Sequence, residues 1–164
     1  MTHFAASPGP ESAADGNAIR QGWIRVLAKA SLAELEAAWA DLPAPPAYRR
    51  LRPTETGLAM VRGRIGGTGQ PFNLGEMTMT RAAIQIPRPG RTPLTGFGHV
   101  AGREGRRAEL VALFDALLQD EERHAAVMDA VITPIAARQA AGKAETARKV
   151  AASKVEFFTL VTTR

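Results

Sequence analysis

Gly57-Leu-Ala-Met-Val-Arg-Gly-Arg-Ile65, Gly66-Gly-Thr-Gly-Gln-Pro71 and Phe72-Asn-Leu-Gly-Glu-Met-Thr-Met-Thr-Arg-Ala-Ala-Ile-Gln-Ile86 follow one another in the middle of the chain and decide its fold. In the first run Leu58, Met60, Arg62 and Arg64 alternate with Ala59, Val61, Gly63 and Ile65, the period of two that marks a strand. The glycines that follow supply the positive-φ positions a sharp reversal requires. Alternation then resumes through Leu74, Glu76, Thr78, Thr80, Ala82, Ile84 and Ile86, so the three segments together read as an antiparallel hairpin. A second reversal, Pro87-Arg-Pro-Gly-Arg-Thr-Pro93, leads into Leu94 to Ala101, a glycine-softened third strand of a meander.

Outward from the hairpin the periodicity becomes helical. On the N-terminal side Ile19, Trp23, Val26, Leu27, Ala30, Leu35 and Trp39 recur mostly at steps of three and four, which predicts two short helices split near Ala30-Ser31, with Ser31 capping the second and Glu34 at its third position. Leu42-Pro-Ala-Pro-Pro46 stops helix, because proline lacks an amide donor and disfavours helix in the residue before it. On the C-terminal side Leu110, Leu113, Phe114, Leu117 and Leu118 share one helical face, with Arg106, Arg107, Glu109, Asp115 and Gln119 mostly turned away. Thr133-Pro134 reads as a cap and first turn of a further helix, which Gly142 is placed to interrupt. Residues 155–161 fit both a strand and a helix face, and their β-branched and aromatic content favours a strand. The fold class is therefore α+β: an antiparallel sheet in the middle of the chain, packed with N-terminal and C-terminal helices.

A chain of 164 residues, 45% of them apolar, forms one compact domain. Residues 1–16 are small, polar and rich in Pro and Gly, so a disordered tail is expected there and a single domain over 17–164. The absence of cysteine excludes disulfides, thiolate zinc sites, cysteine-ligated iron-sulfur clusters and a cysteine nucleophile on this chain. His3, His99 and His124 lack metal-ligand spacing, so no metal is expected. The N-terminus has neither the positive start nor the apolar run of a signal peptide, and no stretch has membrane-spanning length, so a cytoplasmic location without membrane attachment is expected.

The net charge of +5 is carried by an arginine-rich excess, which suits phosphate or carboxylate groups and equally describes a solvated surface. Gly66, Gly67, Thr68 and Gly69 offer backbone amides and a hydroxyl to a phosphate, but they lie between strands and lack the lysine of a P-loop, so a hairpin turn is the plainer reading. Gly102, Arg103 and the arginines after them surround a helix start, where an anion could dock or where Glu104 and Glu109 could pair the charges. Arg81 emerges from a strand toward a ligand, an interface or solvent. The carboxylates Glu55, Glu76, Glu104, Glu109 and Asp115 carry no spacing that assigns acid-base work.

The string of segments resembles a known family. Glu55-Thr-Gly-Leu58, Gly66-Gly-Thr-Gly69, Gly75-Glu-Met-Thr-Met-Thr-Arg-Ala-Ala83, Gly102-Arg-Glu104, Ala108-Glu109, Asp115-Ala-Leu-Leu-Gln119, Ile132-Thr-Pro134 and Ser153-Lys-Val-Glu-Phe-Phe-Thr159 stand in the order and approximate spacing of the PhnG family of phosphonate metabolism proteins, the small G subunits of the bacterial carbon-phosphorus lyase core complex. The resemblance spans residues 17 to 162, and departs from the family around Phe97-Gly-His-Val-Ala101. It implies a subunit packed with other core subunits, above all a larger nucleosidase-type partner, with nucleic acid not expected. The complex would displace adenine from ATP with methylphosphonate to give α-D-ribose 1-methylphosphonate 5-triphosphate, its catalytic centre lying largely on partners. ATP and phosphonate are then substrates of the assembly, and the iron-sulfur cluster and S-adenosylmethionine of the later bond-cleaving step belong to a partner. No family catalytic residue carries over. Gly66, Gly67, Thr68, Gly69, Arg81, Gly102, Arg103 and Glu109 become candidate anion-binding or interface positions. The competing reading is an independent arginine-rich binder of anions or nucleic acid, whose affinity would fall steeply with salt.

Overall fold

The structure, a computed structural model, describes residues 10–153. Helix α1 (Pro10–Leu27) and helix α2 (Leu32–Ala40) precede strands β1 (Arg49–Arg50), β2 (Glu55–Arg64), β3 (Pro71–Ile86) and β4 (Leu94–Ala101); helices α3 (Gly105–Leu118), α4 (Glu121–Val127) and α5 (Thr133–Ala152) follow. The α+β arrangement expected from the sequence is the one observed. Helix α1 begins at Pro10, inside the stretch expected to be a tail. Proline is well suited to a first helical turn, where its missing amide would have had no partner. The strand expected at 155–161 lies outside the described residues.

Strand β3 organises the sheet. Its residues Ile84 and Gln85 pair with β1 on one side and with Gly96 and Thr95 of β4 on the other, while Thr80 and Arg81 pair with Thr56 and Glu55 of β2 and with Val100 and His99 of β4. A strand has two edges, so β1 and β2 run in succession along one edge of β3 and β4 runs along the other. All pairings are antiparallel, as the meander reading requires. The glycine reversal is a single 3₁₀ turn at Ile65–Gly67, with Gly66 and Gly67 at φ 60° and 79°, where a Cβ would be strained.

One face of this sheet is packed and the other open. Thr80, Ala82, Ile84 and Ile86 of β3 and Leu94, Gly96, Gly98 and Val100 of β4 are buried on the packed face. Helix α3 lies across them and meets α1, α2 and α4 on its far side. That position corrects the sequence reading of an amphipathic helix: every residue from Ala108 to Leu118 is buried, Glu109 and Asp115 included. A central helix with neighbours all round has no solvent face, so its charged residues must be paired inside.

Approach between α3 and β4 is close enough that side chains are excluded. A Cβ built on Gly96 would stand 1.9 Å from the Ala112 carbonyl oxygen, and one on Gly98 would stand 1.9 Å from that of Ala108. Ala108, Ala112 and Ala116 supply the small helix positions opposite. These glycines are contact surfaces, which softness along the strand does not describe.

Ser31 caps α2 in a full capping box with Glu34, whose carboxyl the Ser31 amide and hydroxyl hold below its ordinary range. Thr133, expected as a cap, is helical itself: a π-helical segment at Met128–Ile132 joins α4 to α5, and Pro134 sits in the first turn of α5. The wider turn lets the chain pass a residue without an amide donor and stay helical. Gly142 does not break α5, which continues to Ala152.

Candidate functional site

Beyond the end of β4 the hairpin continues as a two-stranded arm. The last residue of β4 in the ladder, Ala101, pairs with Met79, and Gly102, at φ 90°, turns the chain away after donating its amide to the Thr78 carbonyl at 2.9 Å. From Leu58 to Thr78 the ribbon therefore has no third strand, and at about 3.3 Å per residue it reaches roughly 20–25 Å from the body. Residues 71–77 are exposed throughout. Ile65 is 77% exposed, Leu58 67% and Leu74 66%, with Met60, Phe72 and Met77 also open to solvent.

The register fixes which side chains share a face. β2 and β3 pair directly up to Val61↔Gly75, then shift so that Arg62 meets Asn73, leaving Leu74 as the extra residue of a bulge. A Cβ on Gly63 would touch the Phe72 ring at 3.7 Å and Leu74 at 3.9 Å, so both lie on the side of Gly63. Ala59, Val61, Met77, Phe72 and Leu74 thus form an apolar strip continuous with the open sheet face. The opposite side carries Leu58 and Met60 near the body and Arg62 and Arg64 toward the tip. Isolated two-stranded ribbons are marginal in water, and contiguous exposed apolar side chains mark a surface that another molecule covers.

The open face continues at the base of the arm as a hollow of about 590 Å³ lined by Glu55, Gly57, Ala59, Met79, Arg81 and His99 among others. Arg81 donates from Nε to the Glu55 carboxylate at 2.8 Å, with Nη2 at 2.7 Å. Both side chains are well exposed, so the pair contributes little to stability and serves more to orient Arg81 on that face.

The candidate positions do not converge. Gly66, Gly67, Thr68 and Gly69 sit at the arm tip, Arg81 on the open face, and Gly102 and Arg103 in the turn after β4. Gly102 knits that turn to the sheet: its carbonyl accepts from the Thr80 hydroxyl at 2.6 Å, and Thr80 in turn lies 3.0 Å from the Thr56 hydroxyl. Near the start of α3 two of the three arginines are matched by acids and carbonyls, Arg107 with Glu104 at 2.9 Å and with the Ala28 carbonyl at 3.1 Å, Arg106 with Glu36 at 3.9 Å, while Arg103 is exposed.

Glu109 lies apart from the other candidate positions, buried on α3 with Arg106 4.0 Å away. It accepts from the Tyr48 hydroxyl and from Arg50 at 2.9 Å. Burial alone would raise its pKa, but these donors, helped by Arg106, outweigh it and hold the carboxyl below its ordinary range; burial and the same carboxylate push the Tyr48 hydroxyl up. A depressed carboxylate stabilises the fold above the unfolded-state pKa, near 4.3, and that stability is lost as pH falls through the folded value. Glu109→Gln is expected to cost about 1–3 kcal/mol at neutral pH and to flatten the loss of stability below about pH 4.5, read from urea midpoints across that range.

Asp115 is the structural centre that spacing did not single out. Fully buried, it accepts from Arg20 at 3.0 and 2.6 Å, from the Trp23 indole at 3.0 Å and from the Phe97 amide at the free edge of β4 at 2.9 Å. Arg20 also lies over the Phe97 ring, 5.7 Å from its centroid. One carboxylate therefore ties α1, α3 and β4 together. In the sequence it read as one of several carboxylates without a role, on the side of the helix turned away from the apolar face, and as part of the Asp115-Ala-Leu-Leu-Gln119 segment; Gln119 donates to the Thr95 carbonyl of β4 at 2.9 Å.

No group of three or more potential metal-ligating side chains occurs among the described residues, and no described helix is long and apolar enough to cross a membrane. Comparison with known proteins decides the family. Residues 18–163 match the profile of the phosphonate metabolism protein PhnG. The chain belongs to the PhnG family. A relative in Rhizobium meliloti (strain 1021), the alpha-D-ribose 1-methylphosphonate 5-triphosphate synthase subunit PhnG, is 43% identical over 146 residues, covering 89% of this chain and 90% of that protein. The segments that carried the resemblance thus belong to a match over nearly the whole chain; those among the described residues lie on the hairpin, in the turn after β4, on α3 and at the start of α5 rather than in one cleft.

Proposed function

We propose that this chain is a subunit of the complex that makes α-D-ribose 1-methylphosphonate 5-triphosphate by displacing adenine from ATP with methylphosphonate, and that it acts by docking on a larger nucleosidase-type subunit that carries most of the catalytic centre. The observation that supports this reading is the arm: a two-stranded ribbon that exposes Leu58, Met60, Ile65, Phe72, Leu74 and Met77 is a surface made to be covered. The relative whose name describes a subunit of an alpha-D-ribose 1-methylphosphonate 5-triphosphate synthase supports the product and the subunit role. The candidate positions at the arm and on the open face are interface positions in this reading, whereas Glu109 and Asp115 hold the body together.

Co-expression of the tagged chain with the other core subunits tests it. A stoichiometric complex is expected, with methylphosphonate-dependent release of adenine from ATP that falls to background when this chain is left out. A complex of unchanged activity without it, or no association at all, would sink the reading and redirect attention to salt-sensitive binding of polyanions.

A further inference from the structure

Charge and apolar side chains are segregated along one face of the arm. After Leu58 and Met60, the next positions on that face of β2 are Arg62 and Arg64, both exposed. Among the described residues neither has a carboxylate within 4 Å, a condition they share with Arg25, Arg49, Arg52, Arg103 and Arg148, whereas Arg20, Arg50, Arg81, Arg88, Arg91, Arg106, Arg107, Arg123 and Arg138 each have one; of the unpaired arginines, only Arg62 and Arg64 stand on the arm. Arg64 donates from Nη1 to the Gly69 carbonyl at 3.0 Å, which fixes it against the turn. Arg62, Gly63, Arg64, Gly67 and Pro71 line an open hollow of about 470 Å³. Apart from the adjoining residues, no atom lies within 4 Å of where a Cβ would stand on Gly66 or Gly67, so the backbone at the tip is open to an incoming group. Two guanidinium-bearing residues two positions apart on a strand, about 7 Å between Cα atoms, repel one another until an anion spans them, and their planar forks fit phosphate oxygens.

We infer that the arm tip is a polyphosphate-binding element, which Arg62 and Arg64 carry from this subunit into the nucleotide site of its partner to hold the triphosphate of ATP and of the ribose triphosphate product. The inference rests on the subunit reading above, and the product's triphosphate gives the ligand class. Apolar side chains along the stem anchor the arm, and the arginines stand where the anchored arm ends. The chemistry of that reaction breaks the bond from ribose C1′ to adenine and forms one from C1′ to a phosphonate oxygen. The 5′-triphosphate is carried through unchanged. Groups that hold it bind substrate and transition state alike, so their loss raises KM and leaves kcat nearly unaltered.

The test uses the co-expressed complex, with Arg62→Ala/Arg64→Ala, Arg62→Lys/Arg64→Lys and, as a control on an exposed arginine outside the arm, Arg52→Ala. Assembly is read by gel filtration, adenine release against ATP concentration gives KM and kcat, and inorganic tripolyphosphate serves as a competing probe. The double alanine variant is expected to assemble normally, raise KM for ATP at least about tenfold with kcat within about twofold, and weaken inhibition by tripolyphosphate in parallel. The lysine pair should recover part of the loss, and Arg52→Ala should match the wild type. An intact complex with unchanged KM and unchanged tripolyphosphate inhibition overturns the inference and leaves the subunit reading standing. Loss of assembly in the alanine variant assigns the arginines to docking and overturns it as well. Failure of the wild-type chain to assemble overturns the subunit reading and the inference together.

Discussion

Gly98→Ala is expected to unseat helix α3 from the sheet and to lower stability by about 3 kcal/mol or more. Gly98 has an ordinary backbone conformation, so the cost does not come from strain in φ. It comes from space: the new methyl would stand 1.9 Å from the Ala108 carbonyl oxygen and 2.9 Å from the Ala112 amide. These are helix backbone atoms and cannot rotate aside as a side chain would, so α3 must move as a body. Because α3 is buried on every side from Ala108 to Leu118, its displacement loosens the contacts with α1, α2 and α4 at once. Gly142→Ala provides the opposite sign: that glycine lies in exposed α5 with nothing within 4 Å of its Cβ position, and the change should stabilise by about 1 kcal/mol through helix propensity. Urea unfolding of the two variants beside the wild type settles both, and a Gly98→Ala midpoint equal to the wild type would show that α3 does not sit as described.

The second large effect is on assembly. Replacing Leu58, Phe72 and Leu74 by serine should leave the isolated chain folded, with each leucine change costing no more than about 0.5 kcal/mol and Phe72→Ser about 1 kcal/mol, because the leucines are 67% and 66% exposed and Phe72 41%. In the complex the same positions are expected to be buried anchors, each worth about 2 kcal/mol or more on truncation, so the triple variant should fail to co-purify with its partners. Circular dichroism and unfolding of the isolated chain guard against simple misfolding. A triple variant that folds and still assembles in full stoichiometry would remove the arm from the interface.

Local patterning carried much of this architecture. Alternation from Gly57 to Ile86 around Gly66-Gly67 identified the hairpin, and Leu94 to Ala101 was legible as the third strand, because strand period and turn chemistry are properties of neighbours in sequence. The Ser31–Glu34 capping box was equally legible, since its hydrogen bonds span only three residues. The PhnG resemblance likewise came from ordered short segments, and the full-length match followed from the same residues.

Tertiary structure decided the rest. Hydrophobic periodicity gave α3 one apolar face, but only its position between the sheet and the other helices made Glu109 and Asp115 interior groups with Tyr48, Arg50, Arg20 and Trp23 as partners. Those partners lie 59 to 95 residues away in sequence, beyond the reach of any spacing rule. Gly96 and Gly98 looked like soft spots in a strand until the Ala112 and Ala108 carbonyls were found against them. The sequence by itself determined strands β2 to β4, the turn between β2 and β3, the Ser31 cap and the family, while the short pairing of Arg49–Arg50 with β3 left no pattern to read. The tertiary structure alone decided that β4 stops opposite Met79 and so leaves the hairpin to run on as an exposed arm, because the length of unsupported ribbon depends on where a distant strand ends and on no feature of the ribbon's own residues.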